Sequence, residues 1–143
     1  MKIIKTISSL MVISLLCFGI AQAQQGTTAK KTATVKIQGP EIQFNKNVHD
    51  YGEIVQGANG DCEFEFTNIG NEPLLLSDVR SSCGCTTPSW PREPIMPGKK
   101  SKIKVHYDTN RVGGISKTIT VTTNGQTDRV VLRISGNISP KAN

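Results

Sequence analysis

The sequence has no Gly-rich phosphate loop, no His-Glu-x-x-His zinc motif and no Gly-x-Ser-x-Gly nucleophile elbow. The commonest routes to nucleotide, zinc-protease and serine-hydrolase chemistry are therefore missing. It has only two histidines, His49 and His106, and nothing in their spacing brings either to a cysteine. There is no internal repeat, and no stretch carries the length and stripe of an amphipathic helix. After residue 23 there is no apolar run approaching the roughly 20 residues needed to cross a bilayer as a helix. The formal charge over 143 residues is +6, but the basic side chains are dispersed, as in Lys102, Lys104, Lys117, Arg129 and Arg133. Dispersion of this kind marks solvated sheet faces and excludes a nucleic-acid footprint.

The first segment has the layout of a removable leader. Lys2 and Lys5 precede an apolar run from Ile7 to Ile20, broken only by Ser8, Ser9, Ser14 and Gly19. Ala21-Gln22-Ala23 then supplies small residues where a signal peptidase reads them, so residues 1–23 are expected to be a signal peptide, with cleavage after Ala23. A retained membrane anchor would need a longer run. A lipoprotein using Cys17 would need a small residue where Leu16 stands. Removing 23 of the 143 residues leaves 120, with 15 basic against 11 acidic side chains. The mature chain is expected to be exported, periplasmic or secreted, with no transmembrane segment.

Residues 24–40 are rich in Thr, Ala, Lys, Gln and Gly and read as a flexible linker. From 41 to 138 the period is two. Cys62, Phe64 and Phe66 alternate with Asp61, Glu63 and Glu65. Ile103, Val105 and Tyr107 alternate with Lys102, Lys104 and His106. Ile119 and Val121 sit between threonines, and Val130, Leu132 and Ile134 end the set, with Val131 an apolar exception on the outer row. Turn signals stand at Asn68–Asn71, Pro97-Gly98 and Asn124-Gly125, the last a favoured tight hairpin, and Gly113-Gly114 is expected to break the chain. About seven short antiparallel strands in roughly 100 residues indicate an all-β, immunoglobulin-like sandwich. Its expected core is Phe44, Phe64, Phe66, Leu74, Leu76, Ile103, Val105, Tyr107, Ile119, Val121, Leu132 and Ile134. Residues 139–143 read as a polar tail.

Three cysteines follow the leader: Cys62, Cys83 and Cys85. The odd number leaves at least one thiol unpaired within a monomer. Cys62 shares a face with Phe64 and Phe66 and reads as a buried filler. If residues 61–67 and 73–81 form a hairpin about Gly70, Cys62 and Cys83 are offset by about five residues, roughly 16 Å at strand rise. A disulfide needs Cα atoms within about 7 Å.

The sharper feature is Ser81-Ser82-Cys83-Gly84-Cys85-Thr86-Thr87-Pro88. Gly84 is expected to give the tight backbone two neighbouring thiols need. A Cys83–Cys85 bridge would close a very small ring, constrain little of the unfolded chain and be easily reduced. The alternatives are two packed thiols in a tight corner, or a soft metal such as copper held by Cys83 and Cys85, although two ligands do not complete a zinc site. Trp90 is either a cover on the sandwich edge or an exposed partner contact.

Val48-His49-Asp50-Tyr51-Gly52-Glu53-Ile54, Phe64-Glu65-Phe66-Thr67-Asn68-Ile69-Gly70-Asn71-Glu72-Pro73-Leu74, Ser81-Ser82-Cys83-Gly84-Cys85-Thr86, Pro97-Gly98 and Tyr107-Asp108 resemble the bacterial domain of unknown function 1573 family over about residues 42–138. That family is similar to immunoglobulin-like domains of major sperm protein and Hydin type, mostly protein-interaction modules. The resemblance implies a sandwich and supplies no enzymatic activity and no cofactor. The expectation is a non-enzymatic interaction or structural module of the cell envelope, partnered by another envelope protein. The alternative is a thiol-disulfide or copper-handling protein built on Cys83 and Cys85.

Overall fold

The structure is a computed structural model and describes residues 37–142. The expected leader and most of the expected linker lie outside the described residues. Within them the chain is all β, with eight strands: β1 (Ile42–Phe44), β2 (Val48–Val55), β3 (Asp61–Asn68), β4 (Leu76–Ser81), β5 (Thr86–Ser89), β6 (Lys100–Tyr107), β7 (Gly113–Thr123) and β8 (Arg129–Ser139). They form two four-stranded sheets, in the orders β1-β3-β6-β5 and β2-β8-β7-β4.

The period-two rows produce the core directly. Phe64, Phe66, Ile103, Ile119, Val121, Leu132 and Ile134 have no exposed surface, and Cys62, Val105 and Tyr107 are buried with them. Burying each such side chain contributes about 1.5–3 kcal/mol, so these alternating strands set the stability of the sandwich. The outward row of β3 stands against that of β6 as an acid–base ladder. Asp61 faces His106, Glu63 faces Lys104 and Glu65 faces Lys102. The ion pairs run partly on the diagonal, with Lys102 Nζ 2.8 Å from Glu63 Oε1 and Lys100 Nζ 3.4 Å from Glu65 Oε1. All are solvent-exposed, so they favour register more than stability.

Several expectations are corrected. There are eight strands rather than about seven, and β2 pairs parallel with β8. β3 and β4 do not form a hairpin; they lie in different sheets, because the chain crosses over between Asn68 and Leu76. Asn68 is fully buried and organises that crossover. Its Nδ2 donates to the carbonyls of Glu72 (2.7 Å) and Ile95 (2.8 Å), and its Oδ1 accepts from Gly70 N (3.0 Å). A Cβ on Gly70 would run into the carbonyl oxygen of Gly39, so a side chain there would push the crossover apart. Leu74 is not in β4; it makes an isolated bridge with Ile95. Gly113 and Gly114 do not break the chain but open β7, opposite Ile138 and Asn137. The β7–β8 connection is the five residues 124–128, with Thr123 N donating to Asp128 O (2.8 Å), not a two-residue turn. Phe44, expected in the core, is half-buried at its margin.

Backbone bonding begins before Glu41. Gly39 N donates to Asn71 Oδ1 (2.6 Å), Asn71 N to Gly39 O (3.0 Å), Gln126 N to Pro40 O (3.1 Å) and Gln126 Nε2 to Gln38 O. The last residues of the stretch read as a linker are thus tied to the sandwich.

Candidate functional site

β4 leaves its sheet at Ser81 and β5 enters the other sheet at Thr86, so the four residues between them turn the corner of the sandwich. Cys83 and Cys85 are joined there by a disulfide, with Cα atoms 5.3 Å apart. Cys62 is the free cysteine among the described residues and is buried in β3. Burial pushes its thiol above the ordinary range, against a smaller opposing effect of the nearby Tyr51 hydroxyl. Tyr51 is itself raised by burial and donates to Gly60 O at 2.7 Å.

The corner is held by bonds that do not involve sulfur. Ser81 Oγ lies 2.7 Å from Cys83 O and 2.6 Å from Thr86 O, sharing one proton between two carbonyls. Thr86 N donates to Cys83 O (3.3 Å), Asp108 N to Cys85 O (2.9 Å) and Ser82 N to Thr118 O (2.9 Å). Thr118 N answers to Ser82 Oγ (3.2 Å). Each flank of the corner is therefore hydrogen-bonded to the strand beside it. Gly84 does not adopt the positive φ that demands glycine, and a Cβ there would meet nothing within 4 Å. The corner is a tight turn, closed by Thr86 N to Cys83 O, but it does not require a glycine-only conformation at Gly84.

Thr86 is the residue that sequence reading missed. Its side chain is buried, and its Oγ1 sits 3.6 Å from Cys83 Sγ and 3.9 Å from Cys85 Sγ. Its place in the motif was legible, but the inward direction of its hydroxyl depends on β5 being a strand. Pro88 and the polar neighbours conceal that strand in the sequence. Proline fits because β5 is an edge strand.

Trp90 packs its ring against the core, and the Arg92 guanidinium lies 3.8 Å over the ring centroid. Its Nε1 is buried without a hydrogen-bond partner among the described residues. Neither histidine is hydrogen-bonded to the bridge among the described residues, although His106 stands across from Thr87 in the β5–β6 register. His49 packs edge-on against Tyr51, ring centroids 4.6 Å apart, and burial followed by Lys46 pushes its pKa down. His106 Nδ1 lies 2.6 Å from Asp61 Oδ1 on the exposed ladder. Among the described residues no group of three or more His, Cys, Asp or Glu side chains is gathered where it could hold a metal. Shallow hollows open over the charged outer face of β3 and β6, lined by residues such as Glu63, Glu65 and Lys102.

A family model matches residues 42–138, nearly the whole of the sandwich. The chain belongs to that family, described as Protein of unknown function (DUF1573). Comparison with curated proteins finds no match. Among solved structures, this DUF1573 chain is similar to a protein of unknown function from Porphyromonas gingivalis W83, at TM-score 0.61 and 19% identity, covering 71% of this chain and 48% of that one. The chain thus spans about half the length of that relative. It is also similar to the ASH / PapD-like domain 7 of human CEP192, at TM-score 0.61 and 9% identity, covering 73% and 89% of the two chains. The CupB2 chaperone of Pseudomonas aeruginosa aligns at TM-score 0.51 and 8% identity, over 68% of this chain and 55% of that one. At these identities the likeness is one of fold: the DUF1573 sandwich is immunoglobulin-type and PapD-like.

Proposed function

We propose that this DUF1573 chain is an exported, non-enzymatic module of the cell envelope that binds an extended segment of another envelope protein as an added strand on β4. One observation carries the reading: among four edge strands, β4 alone offers a regular outer edge. β1 has three residues, and β5 contains Pro88, which cannot donate to a new ladder. β2 is interrupted by a register shift between Asp50 and Glu53, with Gly52 at φ 63° inside it. Bulges and prolines are the usual devices that blunt a sheet edge. β4 runs from Leu76 to Ser81 with no proline, and its one irregularity is at its start. Ile95 covers the edge only at Leu74, upstream of the strand. Strand addition draws affinity from main-chain hydrogen bonds. The fold-level likeness to a chaperone, a protein that binds other proteins, supports the reading as analogy alone.

Export is supported by the leader pattern and by a disulfide, which persists in oxidising compartments. The test is site-specific photo-crosslinking in cells. A photoreactive residue at exposed Ser77 or Arg80 is expected to capture a discrete envelope protein. The same residue at Lys102 or Arg133, on the outer faces of the two sheets, is expected to capture none. Capture from Lys102 or Arg133 with none from Ser77 or Arg80 refutes the β4 edge.

A further inference from the structure

We infer that Cys83–Cys85 is an exchange-active disulfide, opened by a thioredoxin-type dithiol through attack on Cys85 with Cys83 as the leaving sulfur, while the domain stays folded in both states. The inference does not depend on a strand joining β4.

Three observations converge on this corner. The first is that the backbone around the bridge is fixed without it. Ser81 Oγ, Thr86 N, Asp108 N and Ser82 N hold the carbonyls of residues 83, 85, 86 and 118. Breaking the S–S bond removes no contact on which those bonds depend.

The second is Thr86. A buried hydroxyl ordinarily finds an oxygen or nitrogen partner. Among the described residues the Thr86 hydroxyl has only the two sulfurs, and Cys83 Sγ is the nearer. A disulfide sulfur is a weak acceptor, whereas a thiolate accepts a charge-assisted bond. The hydroxyl is thus placed where negative charge develops once the bridge opens. A hydrogen-bond donor lowers a thiol's pKa, and a lower pKa makes a better leaving group. The shorter distance from Thr86 Oγ1 to Cys83 Sγ favours Cys83 over Cys85 as the sulfur that leaves.

The third is access. Gly84 is exposed, and a Cβ built on it would meet no residue beyond its two neighbours within 4 Å. Cys83 and Cys85 are themselves only half-buried, Cys85 against the core, so part of the bridge is open to an attacking sulfur carried on another protein.

The step balances as two successive exchanges. A thiolate of the reductant forms a bond to Cys85 Sγ as the Cys83–Cys85 bond breaks, and Cys83 departs with the electron pair as a thiolate. The reductant's second thiol, deprotonated, attacks its own sulfur in the mixed disulfide and releases Cys85 as a thiolate. Both thiolates take up protons at equilibrium. The reductant is oxidised to its disulfide, and the chain gains two electrons and two protons. Run backwards, the same steps pass a disulfide to a dithiol.

The full chain, isolated under air, is incubated with a thioredoxin variant retaining only its attacking cysteine. The mixture is acid-quenched and the adduct mapped by mass. The expected result is a one-to-one adduct on Cys85, formed while the thermal unfolding transition is retained. Gly84→Leu is expected to reduce adduct formation at least tenfold and to leave reduction by dithiothreitol unchanged. In the fully reduced chain, alkylation of Cys83 is expected to reach its pH midpoint below the ordinary thiol value of about 8.5. Thr86→Val is expected to raise that midpoint by about one unit, a tenfold loss of thiolate at fixed pH, and Thr86→Ser to restore it. No adduct until denaturant is added, or loss of the folded transition on reduction, overturns exchange in the native state. An adduct on Cys83 overturns the assigned polarity, and a midpoint indifferent to Thr86→Val overturns the role of that hydroxyl.

Discussion

Replacing both bridge cysteines by serine should leave this domain folded and only modestly less stable. In the chain-entropy model a disulfide closing a loop of three residues lowers the entropy of the unfolded chain by about 5.4 cal/mol/K, or about 1.6 kcal/mol at 25 °C. That is a ceiling here. The Ser81 hydroxyl and the backbone bonds to Cys83 O, Cys85 O and Thr118 O keep the corner closed in the folded state without the bridge. With an unfolding entropy near 2.1 cal/mol/K per residue over about 100 residues, 1.6 kcal/mol corresponds to a fall in Tm of about 8 °C. The expected loss for Cys83→Ser with Cys85→Ser is therefore between about 0 and 1.6 kcal/mol, or at most about 8 °C. Phe64→Ala, which empties a fully buried site between the sheets, should cost about 3–5 kcal/mol. The assay is urea unfolding followed by circular dichroism, with calorimetric melts of wild type, double serine variant and Phe64→Ala. A double serine variant that loses more than about 3 kcal/mol, or fails to fold, would show that the bridge is a structural staple and that the hydrogen-bonded corner does not stand alone.

Gly84→Ala should change stability by less than about 0.5 kcal/mol and should not prevent the bridge, since its φ and surroundings admit a Cβ; thermal melts and intact mass under non-reducing conditions check both. Asn68→Ala should cost about 2–4 kcal/mol in urea unfolding, because the Glu72 carbonyl loses its side-chain donor, the Ile95 carbonyl one of two donors and Gly70 N its acceptor. His49 has a pKa below the ordinary 6.5 in the folded chain, so below that value the unfolded chain binds the extra proton first. Its contribution to stability is complete above about pH 6.5 and is lost as pH falls from there through the lowered folded value; stability measured against pH should flatten in that window in His49→Gln. Cys62 should resist iodoacetamide at pH 8 in the folded chain and react on unfolding, since burial both shields the thiol and raises its pKa.

What could be read in advance follows the range of the forces involved. The rows Cys62-Phe64-Phe66 and Ile103-Val105-Tyr107 declare themselves because side-chain alternation is a property of one strand, and ten of the twelve residues expected in the core lie on such rows in β3, β4, β6, β7 and β8. Strand partnership is not local, and there the reading failed. A turn signal at Asn68–Asn71 looks the same whether the chain folds back in its own sheet or crosses to the other. The difference is made by the Asn68 amide, which reaches Ile95, 27 residues away. β2 pairs in parallel with a strand about 85 residues later, a contact no nearby residue announces.

The bridge shows the same division between what a motif states and what its surroundings decide. Cys-Gly-Cys is visible as three letters, and ring size alone says that a bond between these cysteines constrains little. Whether that bond is inert or exchangeable depends on groups brought from other strands. Asp108 follows β6 and holds Cys85 O, and Thr118 on β7 holds Ser82. Thr86, one residue past the motif, turns its hydroxyl inward only because β5 pairs with β6 and so fixes its face. A corner secured by its neighbours does not need the bond between its two sulfurs to stay closed. The buried hydroxyl beside them has no other partner among the described residues, and it gains most when one of those sulfurs is charged.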